Sequence, residues 1–195
     1  MKRCIDIVGA MAGLIVIAPL TPFIALAIKL NSQGPVLVEL DRVSAGQVIK
    51  AYKFRSMIAN ADQIKSQYIH LNQRTDGPYF KIVNDPRVTS VGHWLRKFRL
   101  DEFPQLINVL RGELTLVGPR PHEPNEVAAY PENYRHIPLA RAGVTGFSQV
   151  NGSSSLPFLK ELELDDYYLK NQSLWFDLKI IAKTLLILFS DPTAI

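Results

Sequence analysis

Residues 84–121 read NDPRVTSVGHWLRKFRLDEFPQLINVLRGELTLVGPRP. The stretch opens on an Asn84-Asp85-Pro86-Arg87 box, passes through a short helical pattern at 94–98, and ends on the rigid turn Gly118-Pro119-Arg120-Pro121. Between them Asp101 and Glu102 stand side by side, preceded by Arg96, Lys97 and Arg99 and followed at a distance by Arg120. Local structure alone offers one account of that pair, since Asp is a favoured helix N-cap and Glu in a first turn complements the helix dipole. The surrounding boxes favour a chemical one: paired carboxylates among cations suit a site that handles phosphate and a divalent cation. Arg120 is held between two residues of preset backbone torsion, a fixed fork for phosphate. Arg87 and Arg96 read either as surface charges or as guanidinium forks for phosphate or carboxylate.

Working outward, the chain of 195 residues carries no repeat and no Ser/Gly-rich linker, so it is read as one core. Its apolar residues, 47% of the total, concentrate toward the two ends, and 31–156 has the composition of a water-soluble body. A formal charge of +4 suits an anionic partner, whether nucleic acid, a membrane face or a phosphorylated substrate. Neither a Lys/Arg run, nor zinc-finger spacing, nor an RNA-binding aromatic signature is present, which argues against nucleic acid. The single cysteine, Cys4, excludes an internal disulfide and fits a reducing compartment. His70, His93, His122 and His136 are scattered without metal-ligand spacing and read as surface or packing residues.

Residues 5–30, IDIVGAMAGLIVIAPLTPFIALAIKL, are long enough to cross a bilayer core, which needs about 20 apolar residues. A cleaved signal peptide fits poorly, because the run is long and no small-x-small site leads to a clear mature start. A spanning helix is the simplest alternative. Against it, Pro19 and Pro22 remove backbone donors in mid-segment and predict a sharp bend. Lys2 and Arg3 before the run and Lys29 near its end place both ends on the same, cytoplasmic side. That is a re-entrant helix-break-helix.

Beyond it, Gly34-Pro35 leads into an alternating strand, Ser44-Ala45-Gly46 makes the turn, and 47–54 returns as a hairpin partner. Residues 58–71 have helical spacing, with Ile58, Ile64, Tyr68 and Leu71 on one stripe. The Gly-rich run at 141–152 reads as a loop. Near the end, 174–189 places Trp175, Phe176, Leu178, Ile181, Leu185 and Leu188 at helical spacings, with Lys179 and Lys183 able to snorkel. Such a helix lies on a membrane surface or packs into the core, and both hold if its faces differ.

Taken in order, Lys53-Phe54-Arg55-Ser56-Met57, the NDPR box, Leu100-Asp101-Glu102, the GPRP turn and the RAGVTGFSQVNG run at 141–152 resemble the bacterial sugar transferase family, the monotopic phosphoglycosyl transferases. The resemblance covers nearly the whole chain. It implies an α+β, mostly helical fold with a re-entrant (broken) membrane helix at 1–30, a small β-hairpin and amphipathic interfacial helices. Residues 31–195 would form the cytoplasmic catalytic domain, working with the membrane element as one functional unit on the cytoplasmic face of the bacterial inner membrane. The implied reaction moves a hexose 1-phosphate from a UDP-sugar to undecaprenyl phosphate with release of UMP, starting a surface polysaccharide or glycoconjugate. UDP-glucose and UDP-galactose are the donors commonest in the family.

On that resemblance Asp101 is the nucleophile. An ionised Asp near cations and a helix N-terminus is expected to keep a low pKa and to attack phosphorus. Glu102 either binds Mg2+, with Asp101 as co-ligand, or assists the incoming acceptor. Lys53, Arg55, Arg87, Arg96, Pro119 and Arg120 are implied for phosphate, Gln149 and Asn151 for the nucleotide sugar, and Asp165 as a binding or structural carboxylate. Four departures from the family pattern stand out: Ala18 for the Ser before the membrane proline, Ser44 for a Gly, Ala142 for a Pro, and Ser153 for an Arg. The first implies that the bend rests on proline alone. A non-catalytic membrane scaffold, or a hydrolase passing the phosphosugar to water, would keep the same fold. Partners are thus the UDP-sugar, the polyprenol phosphate and membrane lipids; self-association into a homo-oligomer is left open, as is whether the chain is a minimal enzyme or the catalytic part of a longer one.

Overall fold

The apolar N-terminus forms two helices, α1 (Lys2–Ile17) and α2 (Thr21–Asn31), that meet at 62°. The break lies where Pro19 and Pro22 each lack an amide, and Pro22 sits in the first turn of α2, where none is needed. Proline does not act alone. The Thr21 hydroxyl donates to the Ile17 carbonyl at 3.0 Å, a second hydrogen bond on an acceptor that the Leu20 amide also reaches at 3.0 Å. This corrects the expectation drawn from Ala18: the stabilising hydroxyl is present, three residues later. The computed structural model describes residues 1–152 and 155–190, so the Ser153 departure lies outside the described residues. Among these, no single helix is long and apolar enough to cross a membrane, but the bent pair together is.

Strands β1 (Leu37–Ser44) and β2 (Gln47–Phe54) pair antiparallel as the alternation predicts, with Leu37 opposite Phe54. Residues 58–71 do not make the expected α-helix. Turns lead into a 3-10 segment, Lys65–Leu71, with no fully buried residue; of the apolar stripe, Ile64 and Tyr68 are half-buried, with Arg87 over the Tyr68 ring. Helix α3 (Ser90–Lys97) is capped by the Thr89 hydroxyl, which accepts from the Gly92 amide at 2.9 Å. Helix α4 (Gln105–Arg111) ends on Gly112 in the left-handed region. After it come β3 (Thr115–Val117), α5 (Pro124–Ala128), β4 (Gly143–Thr145), α6 (Phe147–Val150), α7 (Phe158–Lys170) and α8 (Leu174–Ser190). The Gly-rich run at 141–152 is therefore not a simple loop. It contributes β4, parallel to β3, and α6.

The N-terminal helices are built into the body. Ala10 packs with Leu106, Val109 and Leu114, while Ile17, Ile24 and Ile28 pack with Phe54 and Leu95. The first turn of α1 is tied down by polar contacts that composition does not reveal. Lys2 Nζ pairs with Asp177 of α8 at 2.6 Å and donates to the Val117 carbonyl. Arg3 donates to the Val109 and Leu110 carbonyls, satisfying the end of α4. Asp6, buried, accepts from the Thr115 hydroxyl and the Leu116 amide. Opposite these buried faces, Ile15, Val16, Phe23, Leu26 and Leu30 of α1 and α2 are exposed, as are Trp175, Leu178 and Leu186 of α8. Helix α8 packs into the body through Ile180 and Asp177 on one side and presents apolar residues on another.

Candidate active site

Three segments converge on Asp101. The end of β2 brings Lys53, and the Met57–Val88 bridge with the Thr89 amide to Ser56 carbonyl bond (3.0 Å) seats the NDPR box and α3 against it. A Cβ on Gly92 would lie 1.9 Å from the Ser56 carbonyl oxygen, so glycine there is what lets α3 approach. Arg99 then adopts a left-handed backbone, φ 53°, which ends α3 and turns the chain into a 3-10 turn, Leu100–Glu102. Asp101 consequently is not the N-cap of α4; Pro104 occupies that place. The carboxylates lie ahead of the helix, not on its first turn.

Asp101 is 6% exposed. Lys53 Nζ lies 2.6 Å from Glu102 Oε1 and 3.7 Å from Asp101 Oδ2, so one ammonium spans both carboxylates. Burial pushes the Asp101 carboxyl above its usual range; Lys53 and Arg96 oppose that and the Glu102 charge adds to it. The expected low pKa is thereby corrected, because removal from water outweighs the neighbouring cations. Burial also acts to raise Glu102, but Lys53, Arg120 and Arg99 more than offset it and hold this carboxyl down at about 2. Two adjacent carboxyls thus have opposite tendencies.

Arg96 reaches the site with its Nε donating to the Ser56 hydroxyl at 3.0 Å, and it acts electrostatically on Asp101 and Glu102. Arg120 acts on Glu102 from the GPRP turn and lies 3.8 Å from Glu161 of α7. Its backbone amide donates to Asp165 Oδ2, and Pro119 accepts from the Gly143 amide at 2.8 Å, anchoring that turn on β4. Asp165 is buried and its carboxyl is pushed up to about 6, chiefly by burial.

The other anticipated residues are engaged elsewhere. Arg55 donates to the Gln33 and Ser32 carbonyls, closing the end of α2, and is not brought to the carboxylates. Arg87 is buried in a bidentate pair with Asp85, at 2.9 and 2.6 Å, which makes it the staple of its own box. Asn151 donates to the Phe147 carbonyl and accepts from Lys183, so it ties α6 to α8. Gln149 does line the cleft that Glu102 also lines.

Behind Arg120 lies a buried polar cluster that the sequence did not announce. His122 contacts the Tyr79 and Tyr130 hydroxyls through Nδ1, and its Nε2 lies 3.0 Å from Glu161 Oε1. The expectation that His122 is a simple packing residue gives way to a bridge between three polar groups. The available signal was the four-residue interval between Glu161 and Asp165, which sets both acids on one face of α7.

A divalent cation can be tested against this set. Among the described residues no group of three or more His, Cys, Asp or Glu side chains converges. Mg2+ is commonly held by one or two carboxylates plus substrate phosphates, which is what Asp101 and Glu102 can supply.

The family model described as bacterial sugar transferase matches residues 1–191 of this chain. The chain is similar to the undecaprenyl-phosphate galactose phosphotransferase of Salmonella typhimurium, at 36% identity over 188 residues, 94% of this chain and 39% of that protein. It is similar to the UDP-glucose:undecaprenyl-phosphate glucose-1-phosphate transferase of Escherichia coli, at 39% over 199 residues, 95% of this chain and 39% of that protein. The exopolysaccharide production protein ExoY of Rhizobium meliloti is 35% identical over 188 residues, which are 94% of this chain and 83% of that protein. The chain spans about two fifths of the length of the longer curated relatives it matches.

Proposed function

The chain belongs to the bacterial sugar transferase family, and on that premise we propose that it transfers a sugar 1-phosphate from a UDP-sugar to undecaprenyl phosphate, opening the synthesis of a surface polysaccharide or glycoconjugate. The relatives' names supply the substrate classes. The observation that carries the reading is the Asp101–Lys53–Glu102 arrangement, a buried carboxylate and its neighbour joined by one ammonium.

Asp101 Oδ attacks the phosphorus that bears the sugar; the bond from that phosphorus to the UMP oxygen breaks, UMP leaves, and an aspartyl phosphosugar forms. An oxygen of undecaprenyl phosphate then attacks the same phosphorus and the Asp101–phosphorus bond breaks, returning the carboxylate. Lys53 and Arg96 favour the ionised form of Asp101 that attack requires. Arg120, braced by Glu161, faces negative charge as it accumulates on phosphoryl oxygens. Glu102, ionised at any physiological pH, would hold Mg2+ with Asp101 beside it, and the ion would supply charge neutralisation to the diphosphate.

The bent α1–α2 pair is read as re-entrant, its exposed apolar residues and those of α8 resting in the cytoplasmic leaflet with the body on the cytoplasmic face. The packing of Ile17, Ile24 and Ile28 on the body supports one functional unit. The test is UMP release by purified protein in nanodiscs, with Mg2+ and undecaprenyl phosphate, across a panel of UDP-sugars. Release beyond one equivalent per protein that depends on one sugar and on the acceptor supports the proposal; free sugar phosphate formed without acceptor would replace it with hydrolysis.

A further inference from the structure

His122 follows Arg120 across Pro121, so the turn that fixes Arg120 also carries an imidazole into the interior. There it meets Tyr79 and Tyr130, whose rings pack with Ile137, Phe158 and Leu162 in one apolar cluster. Glu161 enters the same interior from α7, with 2% of its side chain exposed. An ionised Glu161 only accepts, so His122 Nε2 carries the hydrogen that spans the 3.0 Å between them, and Nδ1 is left to the two tyrosine hydroxyls. Burial acts to raise the Glu161 carboxyl, but the His122 hydrogen bond and the charges of Arg120 and Arg74 hold it below the usual range. This polar chain ends 3.8 Å away on Arg120 Nε. Arg120 is where it emerges, with 34% of the side chain exposed against 4% for His122.

We propose that His122 and Glu161 are positioning residues for the transfer: the imidazole fixes the Glu161 carboxylate, and the carboxylate aims the Arg120 guanidinium at the reacting phosphate. The inference rests on the transferase reading and deepens it, by assigning what orients its arginine. Two observations select this role over packing alone. A buried ion pair seldom outdoes well-packed apolar side chains of similar volume, so a carboxylate in this apolar interior is better explained by what it directs than by stability. Arg120 is also drawn by two carboxylates, Glu161 more strongly than Glu102. Glu161 thereby holds the guanidinium back from Glu102 and keeps it available to phosphate. Helix α7 governs both ends of the arginine, because Asp165, four residues on and on the same face, accepts from the Arg120 amide at 3.1 Å.

The experiment uses the full chain in nanodiscs with Mg2+ and a UDP-sugar but no acceptor, so that only the first UMP is read. Glu161→Gln keeps the size and the bond from His122 and removes the charge that draws Arg120. Its single-turnover rate at saturating donor is expected to fall about tenfold or more, with the half-saturating donor concentration within about twofold of the parent, because an aiming error is felt most in the transition state. His122→Phe loses rate to a similar extent, and His122→Gln, whose amide nitrogen reaches the Nε2 position, recovers most of it. In an Arg120→Lys background Glu161→Gln costs less than in the parent, since no guanidinium is left to aim. The NMR signal of the Arg120 Nε–H group, identified by its loss in Arg120→Lys, shifts in Glu161→Gln and His122→Phe and returns toward the parent in His122→Gln. An unmoved rate in Glu161→Gln, an undiminished loss in the Arg120→Lys background, or an unmoved Arg120 signal would overturn the proposal. A shifted signal in a protein that releases no UMP from any donor would leave the positioning of Arg120 standing and remove the transferase reading instead.

Discussion

The Ser44 hydroxyl accepts a hydrogen bond from the Ala142 amide at 3.0 Å, and the same hydroxyl donates to the Glu113 carbonyl at 2.6 Å. Both residues depart from the pattern of the family, which has Gly and Pro in these places. The two departures fit each other, since a proline has no amide to donate and a glycine no hydroxyl to receive it. The pair joins the hairpin to the strand that anchors the GPRP turn. Ser44→Ala orphans a buried donor and acceptor and is expected to cost about 1–3 kcal/mol. Combining Ser44→Gly with Ala142→Pro is expected to cost less than the sum of the single changes. Thermal unfolding of the four proteins checks the cycle, and strict additivity would contradict the coupling.

Lys53 favours the ionised form of Asp101. Burial raises that carboxyl and Lys53 opposes the rise, so Lys53→Met raises it further. Attack requires the anion, and the acidic limb of kcat/KM for the UDP-sugar therefore moves to higher pH in the variant, with a loss of about 10²–10³ at neutral pH. A pH–rate profile with its acidic limb unchanged would remove Lys53 from this role.

Asp165 makes stability fall with rising pH. Its carboxyl, ordinarily near 3.8, is raised to about 6 in the fold, so the unfolded chain releases this proton first as pH rises. The native state is at its relative best below the unfolded value and loses the contribution as pH climbs through about 6, by about 3 kcal/mol in all. Asp165→Asn preserves an acceptor for the Arg120 amide and cannot ionise. Its stability relative to the parent is expected to improve between pH 4 and 8, read from denaturant midpoints at each pH.

The Thr21 hydroxyl adds a hydrogen bond at the bend. Thr21→Val keeps shape and removes that second bond to the Ile17 carbonyl, at an expected cost of about 1 kcal/mol. Thermal unfolding in detergent measures it; a variant as stable as the parent would return the bend to proline alone.

The hairpin, the broken N-terminal segment and the Asp101–Glu102 pair were legible in the sequence because each depends on local signals: alternation and a turn, two prolines, adjacent acids among cations. Long-range pairing was not. The parallel β3–β4 pair joins residues 115–117 to 143–145, and the short run at 143–145 carries too little pattern to separate strand from loop. Arg55 and Arg87 carry the same charge as Arg96 and Arg120, and only the fold reveals that their forks serve helix α2 and Asp85. The low pKa expected for Asp101 failed for a similar reason. Neighbouring cations are visible in the sequence, whereas burial is a property of the folded chain.

The claim at the centre is that Asp101 carries the phosphosugar. Intact-protein mass spectrometry after mixing the enzyme with a UDP-sugar and Mg2+, without acceptor, tests it directly. The account predicts a gain equal to one sugar phosphate, mapped to Asp101 and absent in Asp101→Asn, with one UMP released per protein. Label on Glu102, or label that persists in Asp101→Asn, would contradict it.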